Sequence, residues 1–435
     1  MLDFILIIVF CTLGVLVGVV TGLLPGLHVN NVALILLSAS AGTIALCTPL
    51  FLIAGFMISV SISHSFINAI PATFIGAPEE ETALSVLPAH GMLLDGNGYK
   101  AVALSAVSSY GAIIFCLLIL LPIRFIMGPP LLLYDEVQGI MVWLLIAIVV
   151  LMIATEKTRI TELGSEGILP IVAGMLFAGF VFLLSGVFGL IILDLPLVSP
   201  IGLPAAVLFP ALAGLFGLPT LINSLLAKPT IPSQKLEPLK LNKIEKKLSI
   251  GSVLVGSLAG VVVSVIPGIT TAIGTVLAMN LRQRASREQT IVTLSSVNTA
   301  AAFSVILMLF IIQRTRSGVT IAVNQLIAVE PWDSVLMPTG LTYLLLFIVF
   351  SGCLSYFLTL VVGRLFAKKF HKIPYQSLVV LTVVFLCALV VLFTGPSGLL
   401  VLFSATSIGF LPICWGVRRS HCMGVLLVPI ILYFL

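Results

Sequence analysis

Charged residues are scarce in this sequence. Lys, Arg, Asp and Glu together make up 9% of its 435 residues, whereas soluble domains contain about 25%. Hydrophobic residues make up 60% of the chain. So little charge cannot keep a globular surface of this size in water, which excludes a soluble domain. A protein that is surrounded by lipid is expected instead.

Several patterns that would indicate other functions are also missing. There is no HExxH or GxSxG motif, and the seven cysteines form no CxxC pair, so the sequence offers neither a metal centre nor an activated nucleophile. Runs of about ten residues that alternate apolar and polar side chains, which are typical of membrane β-barrels, are absent as well. We therefore expect no enzyme activity, no cofactor and an all-α fold.

Long apolar runs are present instead. A helix needs roughly 20 apolar residues to cross the hydrocarbon core, and most of the runs approach this length. The first, residues 2–20, lacks a basic leading segment and a small-residue cleavage site, so we interpret it as a retained helix. The other clear runs are residues 102–121, 141–154, 168–193, 335–362 and 378–393. The sequence thus predicts a polytopic transmembrane helical protein.

The few charges are unevenly distributed along the chain. Up to Gly217 there are four Lys or Arg against eleven acids, and beyond it seventeen against five. Six lysines lie between residues 228 and 247, and the positive-inside rule places them in the cytoplasm. Basic residues confined to short loops argue against nucleic-acid binding. We predict an N-terminal transmembrane repeat (1–227), a cytoplasmic basic linker (228–249) and a C-terminal transmembrane repeat (250–435).

The two halves share one motif. The stretch GVLVGVVTGLLPG (residues 14–26) aligns without gaps with GSLAGVVVSVIPG (residues 256–268), at an offset of 242. Each begins with a GxxxG pair, which lets a second helix approach closely, and ends with Pro-Gly, which should break the helix at membrane depth. The loop after the second motif is basic and its counterpart around residues 40–47 is uncharged. Opposite loop charges predict inverted repeats with broken, re-entrant helices.

A helix that restarts after each break would direct its unpaired N–H groups at the break. Two such ends, contributed by inverted halves, would form an anion site near the bilayer midplane. The candidate binding residues are the breaks and the polar side chains that follow them, namely Pro25, Gly26, His28, Asn30 and Asn31 in the first half and Pro267, Gly268, Thr270 and Thr271 in the second.

A second polar segment, residues 61–98, follows an apolar stretch that is too short to cross the membrane alone. We predict that its helix enters the membrane and breaks between Ile70 and Thr73. In the C-terminal half, Asn298 is predicted to correspond to Asn68. The candidate residues lining this element are Ser63, His64, Ser65, Asn68, Pro71, Thr73 and Asn298.

The order of these elements resembles a known family. The stretches GLLPGLH, NAIPATFIGAP, LPAHGMLLDGNGYKAVALSAVSS and AGVVVSVIPGIT follow one another as similar elements do in the large permease subunit of the tripartite tricarboxylate transporters (TctA). Ala72 stands where that family's second motif usually has glycine, and His28 stands where another glycine is often found. The chain is also shorter than typical members. The resemblance therefore implies a divergent branch, for which we expect an archaeal source.

This resemblance implies a secondary active transporter for a small organic anion, a di- or tricarboxylate, in the cytoplasmic membrane. It also implies two partners, a small membrane subunit and an extracytoplasmic solute-binding protein; a homodimer is a further candidate. We predict alternating access, coupled to Na⁺ or H⁺. Na⁺ is favoured because carbonyls freed beside the prolines could bind it and no membrane-embedded acid is evident. Asp194 is interpreted as marking a helix end.

Two other functions stay open. A polyprenyl-phosphate translocase would use the same paired Pro-Gly elements for a phosphate headgroup, and it would need a cavity that opens toward lipid. An intramembrane enzyme would use His28, His64, His90 and Asp95 as acid–base or metal residues, although their spacing matches no catalytic motif.

Overall fold

A computed structural model describes residues 2–24, 33, 37, 49–76, 86–158, 168–200, 207–227, 232–237, 239, 242–266, 271–281, 285–370 and 375–435. Within these ranges the regular structure is helical and no β-strand forms. The predicted all-α fold is therefore confirmed.

The helices follow one another with short connections. In chain order they are α1 (Leu2–Leu23), α2 (Leu50–Ile67), α3 (Ala69–Phe74), α4 (Val86–Leu94), α5 (Gly98–Leu118), α6 (Leu120–Met127), α7 (Leu133–Gly139), α8 (Met141–Ala154), α9 (Ile168–Leu193), α10 (Leu208–Leu212), α11 (Leu218–Ala227), α12 (Lys243–Val265), α13 (Thr271–Leu281), α14 (Arg287–Ile311), α15 (Gly318–Leu326), α16 (Thr339–Lys369), α17 (Tyr375–Cys414) and α18 (Gly424–Phe434). A π-helical segment, Ala213–Gly217, joins α10 to α11, and a 3-10 helix, Arg419–Met423, precedes α18.

Eight helices in the described ranges are long and apolar enough to cross a membrane. They are α1, the combined α2 and α3, α5, α9, α12, α14, α16 and α17. Helices α7 and α8 also qualify as a pair, but they are bent by 71° where they meet. A further kink lies inside α17 at Gly395, whose φ of 72° is not helical. The chain is thus a polytopic helical membrane protein with broken helices, as predicted.

The break predicted between Ile70 and Thr73 is wrong in position. Helix α2 ends at Ile67, and a single residue, Asn68, separates it from α3. Asn68 keeps helical angles (φ −59°, ψ −17°), so α2 and α3 form one span. The cause is Pro71: a proline lacks the N–H that would bond to the carbonyl four residues earlier, so the discontinuity lies upstream of the proline. The chain leaves the helix only at Gly76, whose φ is 72°.

Two helix pairs pack in the same way. A Cβ added to Gly14 or Gly18 of α1 would lie 2.6 Å from a carbonyl oxygen of α2, that of Phe56 or Val60 respectively. Gly256 and Gly260 of α12 would meet the carbonyls of Thr293 and Val297 of α14 at 2.5 Å. Only glycine permits such an approach, so the close packing predicted for the two GxxxG pairs is confirmed.

This packing also fixes which residues of the two halves correspond. The partners of the glycines, Phe56 with Thr293 and Val60 with Val297, are both 237 positions apart. At that spacing Asn298 corresponds to Ser61 and not to Asn68. The predicted correspondence of the two asparagines is therefore wrong, because it was drawn from residue type and not from the packed register.

The apolar core divides into two large clusters. One is built mainly from α2, α5, α14 and α16, with Trp332 buried against it. The other is built from α8, α9, α17 and α18 and includes Ile273 of α13. Both clusters include residues of α12, Val261 in the first and Val263 in the second. This helix therefore stands where the two clusters meet.

The predicted basic linker is partly helical. Asn242 caps α12: its side chain accepts the Glu245 N–H, and the Glu245 carboxylate accepts the Asn242 N–H. This capping box starts the helix at Lys243, inside the predicted linker. Earlier in the linker, the Gln234 side chain accepts the Gly98 N–H at 2.8 Å. The linker is thus hydrogen-bonded to the first turn of α5.

Candidate substrate site

Helices end directly before both Pro-Gly pairs. Helix α1 ends at Leu23, and α12 ends at Val265, followed by Ile266 in an extended conformation (φ −87°, ψ 119°). Helix α13 then starts at Thr271. Eight of the candidate residues lie outside the described residues: Pro25, Gly26, His28, Asn30, Asn31, Pro267, Gly268 and Thr270.

A small polar cavity, which we call the asparagine cavity, lies between segments of the two halves. Its volume is about 20 Å³, which is room for about one water molecule. Residues of α2 to α5 and of α14 line it: Ser65, Asn68, Ala69, Thr73, Ala89, Ala101, Ser105, Ile291, Leu294, Ser295 and Asn298. The structure thus brings together Ser65, Asn68, Thr73 and Asn298 of the candidate residues.

Asn68 is the most distinctive residue of this cavity. It is 2% exposed, and its Nδ2 has no hydrogen-bond partner among the described residues. An unpaired buried donor is costly. The hydroxyl groups nearby are already donating, that of Thr73 to the Ala69 carbonyl at 2.7 Å and that of Ser295 to the Ser105 hydroxyl at 2.8 Å. The free amide hydrogens of Asn68 can therefore bind an acceptor that enters the cavity.

Ser63 and His64 do not line the asparagine cavity. The Ser63 hydroxyl donates to the Val15 carbonyl of α1 at 3.0 Å. His64 Nδ1 lies 3.2 Å from the Thr21 hydroxyl, which itself donates to the Gly18 carbonyl, so the imidazole is the donor. Both side chains therefore hold α2 against α1 just before the first break.

The remaining described candidates are Pro71 and Thr271. Pro71 is buried in α3 and its carbonyl accepts the Ile75 and Gly76 N–H groups; it does not line the asparagine cavity. Thr271 begins α13, and its buried Oγ1 has no hydrogen-bond partner among the described residues. A hydroxyl at a helix start beside a Pro-Gly break is suited to an anion, although Thr271 is not a lining residue of this cavity.

His90 and Asp95, two residues of the enzyme hypothesis, form other interactions in the structure. His90 Nδ1 lies 3.2 Å from the Thr73 carbonyl, and burial lowers the pKa of this imidazole. Asp95 pairs with Arg287 at the surface. No group of three or more His, Cys, Asp or Glu side chains within the described ranges could hold a metal ion.

Two ion pairs lie near one end of the asparagine cavity. Arg287 Nη1 is 2.8 Å from Asp95 Oδ2, and Lys100 Nζ is 3.5 Å from Glu288 Oε1. These pairs join the first turn of α14 to α4 and α5, about one helical turn from the cavity residues Ala101 and Ile291. Exposed pairs contribute little stability, so they can open and close at low cost.

Sequence reasoning missed Ser105, Ser295 and the small residues Ala89 and Ala101. Ser105 lies with Ser108 and Ser109 in a mostly apolar run, and Ser295 begins the polar stretch that contains Asn298 but is not itself among the candidate residues. Only the crossing of α5 over α14 makes them neighbours. The sequence feature that could have indicated these lining residues is the high frequency of small residues in both segments, which permits close helix approach.

Eight apolar spans in the described ranges, three of which line a buried polar cavity, define a multi-pass membrane protein. The model of the tripartite tricarboxylate transporter TctA family matches residues 8–424, and the chain belongs to this family. The uncharacterized protein MJ1079 of the archaeon Methanocaldococcus jannaschii is 29% identical over 438 residues, which cover 98% of this chain and 99% of that protein. No solved structure matches the chain.

Proposed function

We propose that this permease carries a di- or tricarboxylate across the cytoplasmic membrane by secondary active transport, with the substrate bound at the asparagine cavity. One observation carries the proposal: the buried amide of Asn68 is unpaired in a cavity that Asn298 of the other half also lines. Carboxylate oxygens only accept hydrogen bonds, so they match an unpaired amide donor.

The lining chemistry suits an anion that must be released. The lining residues include no Lys or Arg, so binding would rely on the amides of the asparagines and on hydroxyl groups. Hydrogen bonds between a neutral donor and a carboxylate are strong enough for recognition. A buried arginine would add a second charge and slow the release of the substrate.

The size of the cavity requires movement. Ligand sites are usually about 300–1,000 Å³, whereas this cavity holds about 20 Å³. We infer that α5 and α14 move away from α2 and α3 when substrate enters, as alternating access requires. The Lys100–Glu288 pair joins α5 to α14 and would keep these two helices together as they move, while the Asp95–Arg287 pair joins α14 to the end of α4.

Several features belong to the proposal because the family alone does not decide them. They are the boundaries of the two repeats (1–227 and 250–435), their inverted orientation, and the cytoplasmic location of the linker (228–249). The proposed partners are a small membrane subunit and an extracytoplasmic solute-binding protein, with a homodimer as a further assembly.

The test is binding of citrate to the purified protein by calorimetry. A hydrogen bond to a charged group contributes about 1.5–3 kcal/mol, so Asn68→Ala and Asn298→Ala should each weaken binding by about tenfold or more. Asn324→Ala is the control, because Asn324 is exposed on α15. Wild-type protein that binds no citrate, or cavity variants that bind it like the control, would refute the proposal.

A second candidate function is supported by one observation. An apolar groove of about 540 Å³ lies between α5 and α12. Exposed side chains such as Leu118 and Ile250 line it, and Lys246 is among its residues. A groove of this kind fits the lipid-facing opening that a polyprenyl-phosphate translocase needs. Binding of polyprenyl phosphate without binding of citrate would favour this alternative.

A further inference from the structure

A charged cluster, two of whose three side chains are buried, lies outside the asparagine cavity. Glu156 follows α8, and its Oε2 lies 2.6 Å from Arg418 Nε and 2.7 Å from His421 Nε2. Glu156 is 5% exposed and His421 is fully buried. We call these three side chains the Glu156 cluster. Glu156 is a buried acid that the sequence did not indicate, whereas Asp194 is exposed just after α9, as expected of a helix end.

Helix α9 shows how deep this cluster lies. The Ser185 hydroxyl of α9 donates to the His421 carbonyl at 3.2 Å, about two-thirds of the way along a helix of 26 residues. Gly174, about a quarter of the way along, touches the backbone of Lys157 and Thr158. At about 1.5 Å per residue, α9 spans the whole hydrocarbon core. Both contacts lie between the two ends of α9, from which we infer that Glu156 and His421 lie at membrane depth.

The cluster has unused capacity for a proton. A carboxylate only accepts hydrogen bonds, so His421 Nε2 carries a hydrogen, and in the neutral imidazole Nδ1 presents a lone pair. His421 Nδ1 is buried without a hydrogen-bond partner, and so is the neighbouring Ser420 hydroxyl. Glu156 and Arg418 balance each other in charge while His421 is neutral. One added proton would therefore change the charge of a dry site.

Few other charges act on this cluster. In the described residues, the packed elements α8, α9, α13, α17 and α18 contain no Asp, Glu, Lys or Arg. The remaining charged or titratable groups nearby are Lys157, Arg419 and Cys422. Arg419 donates to the Phe216 carbonyl and to the Thr220 hydroxyl. The charge in this region thus comes mainly from the cluster itself.

Structural stabilisation alone is a weak explanation for the cluster. A buried ion pair usually contributes no more than a well-packed apolar replacement, and ionisable groups at membrane depth typically mark ion or proton pathways. The position of the cluster agrees with such a role. The 3-10 helix that contains His421 contacts α13, and α13 is the helix that starts after the second Pro-Gly break.

We propose that the Glu156 cluster is the proton-binding site that couples transport to a proton gradient. The inference rests on the proposed transport function. A proton that enters from water forms an N–H bond at His421 Nδ1, and the resulting imidazolium pairs with the Glu156 carboxylate; release of that proton to the other side restores the neutral imidazole. The contact with α13 lets this exchange bias the position of the broken helix.

The first test needs no substrate. Infrared difference spectra of the purified protein between acidic and neutral pH should contain a ring band of a buried imidazole that gains a proton. This band should be lost in His421→Gln and kept in Glu330→Gln, whose side chain is exposed. A band that is unchanged in His421→Gln, or absent from the wild type, overturns the proton site whatever the protein transports.

The second test measures coupling in proteoliposomes with radiolabelled citrate. In His421→Gln, which can still donate to Glu156 but cannot be protonated, accumulation driven by a pH gradient should fall by about tenfold or more, while citrate counterflow at equal pH stays within about twofold. A purely structural role would reduce both. Glu156→Gln provides a second variant, because it removes the carboxylate that would stabilise the imidazolium.

The outcomes separate the two proposals. If the wild type neither binds nor carries citrate, the transport proposal fails while the infrared result still decides the proton site. If the wild type carries citrate and both variants respond to the pH gradient as the wild type does, only the proton site fails. Accumulation driven by Na⁺ alone, without any effect of pH, also overturns it.

Discussion

The α1–α2 pair and the α12–α14 pair have the same backbone packing but different side-chain chemistry. In the first pair, Ser63 donates to Val15 and His64 donates to Thr21. At the corresponding positions of the second pair stand Ala300, Ala301 and Val263. The first pair is thus joined by hydrogen bonds across the interface, whereas the second is joined by apolar contact.

This difference shows what close packing requires and what it leaves free. The glycines are required because a carbonyl oxygen of the partner helix lies too close to the position that a Cβ would occupy. The hydrogen bonds are not required, since the second pair packs as closely without them. We infer that the first pair is the more rigid of the two, and that the second, next to the Pro-Gly break before α13, moves more easily.

The largest effect is expected from filling the glycine contacts. Gly18→Leu and Gly260→Leu would force side chains into carbonyls that lie 2.6 Å and 2.5 Å from an added Cβ. Each should lower the free energy of unfolding by about 3 kcal/mol or more, measured by denaturation in detergent. Gly139→Leu is the control, because nothing lies within 4 Å of its added Cβ. A large effect in only one half would contradict the shared packing.

A smaller effect is expected from removing the hydroxyl that only the first pair contains. Thr21→Val introduces the residue type of Val263 and leaves the buried His64 N–H without that acceptor. The expected loss of unfolding free energy is about 2 kcal/mol. Thr21→Ser keeps the hydroxyl and should retain most of the stability. Equal stability of the Val and Ser variants would show that the hydrogen bond does not strengthen the first pair.

The smallest effect is expected where one residue is exchanged between the pairs. Ser63→Ala removes the hydrogen bond to Val15 and should cost about 1 kcal/mol. Ala300→Ser, the reverse change, should alter the free energy of unfolding by less than about 0.5 kcal/mol, because its hydroxyl can bond to a carbonyl of its own helix. A strong gain in stability from Ala300→Ser would mean that the second pair is equally ready to form the interhelical bond.

The sequence predicted the helix ends and the glycine contacts because both depend on local chemistry. Pro-Gly ends α1 and α12, and GxxxG forms the flat strip that α2 and α14 approach. The break assigned near Pro71 was misplaced because proline affects the residues before it. The correspondence of Asn68 with Asn298 was also misjudged, since register depends on how helices pack.

The Glu156 cluster could not be found from the sequence. Glu156 follows a short helix and stands beside Lys157 and Arg159, so it resembles an exposed loop residue. Its partners Arg418 and His421 are more than 260 positions away. Only the packing of α8, α9 and the 3-10 helix encloses them together.

The sequence by itself determined that this chain is surrounded by lipid, that its helices end at two Pro-Gly pairs, and that glycine strips recur in both halves. These properties follow from composition and from short-range backbone sterics. The tertiary structure alone decided which polar groups meet, at the asparagine cavity and in the Glu156 cluster. Such contacts depend on the register and crossing of helices that are distant along the chain, and no local pattern encodes that geometry.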